Sequence, residues 1–249
     1  MTPDVVVDIG NTRMKWGLCR DRTVGKFVAL AGDDPTAWQH QLNSWNISSP
    51  LRWAIASVHP TRLAHFADWL TEAGHFVTFI HDFSKLPMAV DVEQPERVGI
   101  DRLLSALAAR TRMPDRPLVI ASVGTAITVD YVSREGRFLG GAIFPGLATM
   151  ARSLRTDTAA LPEITITNPL PPLPGKNTEA AIRGGIYWAA VGGIAMMAMR
   201  AQAHFGAEWL KLYLTGGDAW LFEGHFNFDP EIVDTLTVEG VRLAAEALP

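Results

Sequence analysis

Cysteine is almost absent. Cys19 stands alone among 249 residues, so no intrachain disulfide can form, and a reducing, cytoplasmic location is expected. Basic charge is not in surplus either: 26 acidic and 22 basic side chains give a net charge of −4, with no basic run. That argues against a nucleic-acid partner, whose phosphates favour a basic face. The N-terminus has no basic stretch followed by an apolar one, so no secretory signal is expected. One uncharged apolar stretch, "GGIYWAAVGGIAMMAM" from Gly184 to Met199, lies between Arg183 and Arg200 and has 16 residues. A membrane-spanning helix needs about 20. The stretch is therefore read as a buried core helix, with no membrane partner.

Several signatures are also missing. No G-x-x-x-x-G-K-[ST] occurs, because Gly175-Lys176 is followed by Asn177, and no G-x-G-x-x-G follows a strand. The seven histidines are scattered, with no His/Cys cluster at zinc spacing. No G-x-S-x-G elbow is present. Any phosphate site must therefore be of another design.

What is present is alternation of strands and helices. Val5-Val6-Val7 reads as a buried strand, Met14, Trp16 and Leu18 alternate as on a second, and "GKFVAL" (Gly25 to Leu30) can complete an antiparallel meander. Asp34-Pro35 offers an N-cap and a first-turn proline for a helix toward Ser44. "RWAIASV", "TRLAHFADWLTEAG" and "HFVTFI" then read as strand, helix with Gly74 as its stop, and strand. Val98 to Arg112 is helical in spacing, and Met113-Pro114 ends a first lobe at 1–113. A second lobe, 114–249, repeats the order: "LVIASVGTAITVDYV", "GRFLGGAIFPG", a helix over "LATMARSLRTDTAAL", the proline-rich loop "PLPPLPGKNT", the core helix, the strand "KLYLTGGDA" and a closing helix near "VEGVRLAAEAL". Matching "DVVVDIGNTRMKWGL" to "LVIASVGTAITVDYV" with one residue deleted places Asp8 on Ser122, 114 residues on. That spacing suits two homologous lobes and is too long for a solenoid unit.

A strand–glycine–strand hairpin can aim backbone N–H groups and hydroxyls at a phosphate, because glycine permits close approach. In such a hairpin Lys15 can add positive charge and Asp8 can hold a hydrated Mg²⁺. The plainer alternative is an ordinary hairpin in which Asp and Asn serve the turn. "TGGD", Thr215 to Asp218, ends a strand and is weak evidence alone. Asp101, after Gly99 and beside Arg102 at a helix start, suits an alcohol's general base; simple helix-dipole compensation is the alternative.

Together "DIGNTRMKWG", "GIDRLL", "GTAITVD", "GGAIFPG", "NTEAAIRGG" and "LTGGDA" resemble, in order, the motifs of the type III pantothenate kinases, from Val5 to about Leu248. The resemblance implies an α/β fold of two ribonuclease-H-like lobes, the duplicated actin-like ATPase fold, with an interlobe nucleotide cleft. It implies ATP-dependent phosphorylation of pantothenate's primary hydroxyl, the first step of coenzyme A synthesis. By the same resemblance Asp8, Ile9, Gly10, Asn11, Thr12, Arg13, Met14 and Lys15 form the first phosphate loop, with Mg²⁺ reached from Asp8 through water. Gly124 and Thr125 form the second loop. Gly99, Ile100, Asp101 and Arg102 form the substrate segment, with Asp101 as proton acceptor, and Thr178 is a pantothenate contact lent by the partner of a homodimer. Two positions depart from the pattern. Ser122 replaces an aspartate that helps hold a monovalent cation (K⁺ or NH₄⁺), which predicts a weakened cation site. Val92 replaces a tyrosine before the substrate motif. A kinase of another small hydroxyl compound, or a non-catalytic nucleotide-binding regulator, are the competing expectations.

Overall fold

The computed structural model describes residues 1–47, 50–166, 172–206, 210–226 and 230–248. They fall into two compact units, Met1–Met113 with Thr235–Pro249, and Pro114–Asp234.

In the first unit β1 (Val5–Ile9), β2 (Arg13–Arg20) and β3 (Thr23–Ala31) form the expected antiparallel meander. β4 (Arg52–Ser57) and β5 (Phe76–Phe79) extend it in parallel, giving the order β3-β2-β1-β4-β5. Alternation assigns the faces. Val5, Val7, Ile9, Met14, Trp16 and Leu18 pack into a core with Trp38, Trp45, Trp53 and Phe66, beneath α1 (Pro35–Trp45) and α2 (Pro60–Glu72). Asp34 caps α1 as expected, its Oδ1 accepting from the Thr36 and Ala37 amides at 2.9 and 3.2 Å. Gly74, at φ +74°, follows α2. Val6 and Gly17 face the other way, where a Cβ on Gly17 would crowd the Val24 and Val6 side chains at 2.7 and 2.8 Å and come into contact with Val238 at 3.5 Å.

That second face belongs to α3 (Ile100–Arg112) and α6 (Leu236–Ala247). The sequence reading gave 114–249 to one lobe; the closing helix instead groups with the first unit. The cause is side-chain fit. A Cβ on Gly240 would overlap the Leu104 carbonyl oxygen, so glycine is what lets α6 lie directly on α3. Arg112 pairs with Glu239 at 2.7 Å, and the Ser105 and Thr237 hydroxyls meet at 3.0 Å in a buried contact.

The second unit repeats the order. β6 (Leu118–Val123), β7 (Ala126–Val132) and β8 (Phe138–Pro145) are antiparallel, β9 (Lys211–Thr215) and β10 (Glu231–Ile232) run parallel to β6, and the order is β10-β9-β6-β7-β8. α4 (Leu147–Asp157) and α5 (Thr178–Phe205) cover the face that carries Val119, Ala121, Val123, Ile127 and Val129. α5 is longer than the apolar stretch read from sequence, and by length and composition it is sufficient to cross a membrane. Its Ile182, Ile186, Tyr187, Ala190, Val191, Ile194 and Ala198 instead fill this unit's core, which accounts for the composition. Of the proline-rich loop, residues 169–171 lie outside the described residues.

Candidate active site

The first hairpin closes where the Gly10 amide donates to the Arg13 carbonyl at 3.0 Å. Ile9 pairs with Met14 and Asp8 with Lys15, so Asp8 and Lys15 stand side by side on one face of the sheet. Ile9 and Met14 turn inward to the aromatic core and anchor the turn. Asn11, Thr12 and Arg13 are exposed at its tip. Strand alternation thus separates the residues the sequence grouped as one loop: two are core anchors, and the rest face outward or flank the sheet.

Asp8 is 6% exposed, and its Oδ1 is buried without a hydrogen-bond partner. Burial pushes its carboxyl up to about 6; Lys15 opposes the shift and the negative charge of Asp101 adds to it. A buried carboxylate oxygen left unpaired is costly to the folded chain. Such a group is expected where a ligand completes it.

Asp101 is brought to this charge cluster by α3. Gly99 caps the helix, and a Cβ there would lie 2.5 Å from Asp101 Oδ1, so glycine clears the space for the carboxylate. The Asp101 carbonyl accepts from Ser105 Oγ at 2.9 Å, and Ser105 in turn meets Thr237 of α6. Ile100 is buried and Arg102 half-buried beside it. Of the first-unit residues named from sequence, Lys15 and Asp101 therefore both act electrostatically on Asp8. Val92 is half-buried on the segment leading into α3.

The second unit builds a matching turn. The Gly124 amide donates to the Ala126 carbonyl at 3.1 Å. The Thr125 carbonyl accepts from the Gly146 amide at 3.0 Å and from Thr149 Oγ1 at 2.7 Å, which ties the turn to the start of α4. Ser122 pairs with Thr128 on one side and Thr215 on the other. Through β9 the "TGGD" stretch joins this turn: the Asp218 amide donates to the Val123 carbonyl at 3.1 Å, and Gly216, at φ +99°, passes so close to Val123 that a Cβ would collide with its backbone. Sequence alone left that stretch as weak evidence; the sheet makes it part of the second loop. Thr178 opens α5, exposed, just after the Asn177 cap, whose Oδ1 accepts from the Ala180 amide at 2.8 Å.

Among the described residues no group of three or more His, Cys, Asp or Glu side chains forms a metal cage. Mg²⁺ does not need one, because one or two carboxylates with waters and substrate phosphates suffice. The unpaired Asp8 oxygen, with the Asp101 charge nearby, fits that mode. Sequence reasoning missed one residue. Arg62 of α2 donates from Nη1 to the Gly10 carbonyl at 2.7 Å. No motif marks it, and only the fold brings it across 52 residues to the turn.

Two α/β units with one strand order, each ending its first strand in a glycine turn, define a duplicated fold of the actin-like ATPase and sugar-kinase class. Solved structures agree on the fold. A Campylobacter jejuni chain ascribed to a Baf family transcriptional activator aligns with a TM-score of 0.62 at 21% identity, over 97% of both chains. A Sinorhizobium meliloti chain ascribed to a 2-dehydro-3-deoxygalactonokinase gives 0.57 at 14% identity over 98% of both. The family model described as type III pantothenate kinase matches residues 5–200. A Herminiimonas arsenicoxydans protein of that name is 35% identical over 97% of this chain and 96% of its own length. The chain belongs to the type III pantothenate kinase family.

Proposed function

We propose that this protein transfers the γ-phosphoryl group of ATP to the primary hydroxyl of pantothenate, forming 4′-phosphopantothenate and ADP at the start of coenzyme A biosynthesis. The observation that carries this reading is the Asp8–Lys15–Asp101 cluster at the first turn, with an unpaired buried carboxylate oxygen at its centre. Phosphoryl transfer requires mainly positioning and charge neutralisation. The exposed tip of the first turn, Asn11 to Arg13, with Lys15, is the place to hold phosphate oxygens, and Gly124 and Thr125 form the second phosphate turn. Asp8 is the residue to hold Mg²⁺ through water; the ion would neutralise phosphate charge. Asp101 accepts the hydroxyl proton as the alcohol oxygen attacks phosphorus and ADP departs. Gly99, Ile100 and Arg102 shape the acceptor's seat.

Thr178 completes that seat from the partner of a homodimer. Support comes from α5, where Gly185, Trp188, Ala189, Gly192, Met196 and Met199 form an exposed apolar stripe at helical spacing, with Met196 and Met199 more than half exposed. Patches of this kind mark protein contacts. Ser122 contributes a neutral oxygen where a full negative charge would hold a monovalent cation, so K⁺ and NH₄⁺ contribute little. The enzyme works in the cytoplasm on small molecules, without nucleic acid or membrane.

The test is product analysis. Protein, ATP, Mg²⁺ and pantothenate are expected to yield 4′-phosphopantothenate by mass spectrometry, at rates within about threefold with or without K⁺ and NH₄⁺ for a cation site lacking its one opposing charge. Product formed from other small alcohols but not from pantothenate would redirect the acceptor assignment.

A further inference from the structure

The first phosphate turn carries a restraint that neither its motif nor its hairpin requires. The Gly10 carbonyl accepts a hydrogen bond from Arg62 Nη1 at 2.7 Å, in a part-buried contact. The guanidinium is itself fixed. Its Nε donates to Asp33 at 3.2 and 3.3 Å, its side chain is 12% exposed, and a Cβ on Gly32 would overlap its Cζ. The Arg62 backbone is fixed too, because its amide donates to Nδ1 of His59, the cap of α2, at 3.3 Å. Two elements and the chain after β3 thus converge on one carbonyl oxygen.

The Gly10 carbonyl and the Asn11 amide belong to one planar trans peptide, so they point in opposite directions. Holding the carbonyl on Arg62 turns the Asn11 N–H outward at the exposed tip of the turn, where it has no acceptor among the described residues. We infer that Arg62 is a positioning residue for the nucleotide: it fixes the Gly10–Asn11 peptide plane so that the Asn11 N–H is preset toward an ATP phosphate oxygen. Asp33 offsets the charge of Arg62, so direction, more than added positive charge, is what Arg62 supplies. Glycine at position 10 leaves that peptide free to rotate, and without the restraint the donor is lost to a range of orientations at an entropic cost on binding. The inference rests on the kinase reading above, and it concerns ATP alone, not the acceptor.

The experiment is calorimetric titration of the full-length protein with Mg·ATP in the absence of pantothenate, alongside the pantothenate KM at saturating ATP and the melting temperature. Arg62→Ala is expected to weaken ATP binding roughly tenfold or more, the scale of one charge-assisted hydrogen bond, with the pantothenate KM within about twofold. Arg62→Lys keeps the charge and loses the fork that spans Asp33 and Gly10, so it is expected to fall between wild type and Arg62→Ala. If Arg62→Ala does not fold, Arg62→Lys and Asp33→Asn carry the test, Asp33 being 52% exposed and replaceable. ATP affinity of the folded variants within twofold of wild type would overturn the inference and leave the kinase reading standing. Equal losses for ATP and pantothenate that track a lower melting temperature would also overturn it, as the mark of a merely structural role. Wild-type protein that binds no ATP would remove the kinase reading and this inference together.

Discussion

Asp8 holds its proton to about pH 6 in the folded chain because it is buried, against an ordinary value of 3.8. The stabilisation from that retained proton is complete below pH 3.8 and gone once pH rises past about 6. At pH 8 the ligand-free fold therefore carries an ionised carboxylate costing up to about 3 kcal/mol, with Lys15 offsetting and Asp101 aggravating it. Asp8→Asn keeps the shape and removes the charge. In chelator-treated protein it is expected to unfold at higher denaturant than wild type at pH 8, with the difference vanishing by pH 4, and in Mg²⁺-containing buffer to turn over ATP much more slowly. Equal or lower stability of the variant at pH 8 would show that Asp8 is not strained by its surroundings. Such a trade of stability for activity is common at functional sites. Asp8, Lys15 and Asp101 were legible in sequence because strand alternation and a helix start place them with few assumptions. Arg62 was not, because its partner lies 52 residues away and only the tertiary fold brings them together.

At the scale of elements, the α3–α6 contact decides where Asp101 stands. The Ser105 hydroxyl binds the Asp101 carbonyl and meets Thr237, while Gly240 lets the helices touch backbone to backbone at Leu104. Gly240→Val adds volume against the Leu104 carbonyl and must push the helices apart, at about 1–3 kcal/mol. A lower melting temperature together with reduced turnover is the expected outcome; full turnover in a destabilised variant would show that α3 tolerates displacement. The cap of α1 was readable from Asp34-Pro35, since capping is local chemistry. The partner of α6 was not readable, because an amphipathic helix states which face is buried and not what buries it. β10 was missed for a related reason: two residues carry too little periodicity to register.

The whole molecule repeats one strand order in its two units, and the position two residues before each first glycine turn carries Asp8 in one and Ser122 in the other. The shared strand order was visible in sequence as a spacing of 114 residues. The long core helix was visible only as an apolar run, and its buried and exposed faces separate once α5 lies on its sheet. Sedimentation at assay concentration is expected to show a dimer, and Met196→Glu, which sets a charge in the exposed stripe, is expected to give an inactive monomer. A monomer with full activity would defeat the shared-site proposal. The central claim, that Asp101 takes the proton of the attacking hydroxyl beside the Asp8–Lys15 turn, is tested most directly by Asp101→Asn in a pantothenate-dependent ADP-release assay. ATP affinity close to wild type is expected, with turnover lower by on the order of 10²-fold or more. Near-normal turnover in that variant would contradict it.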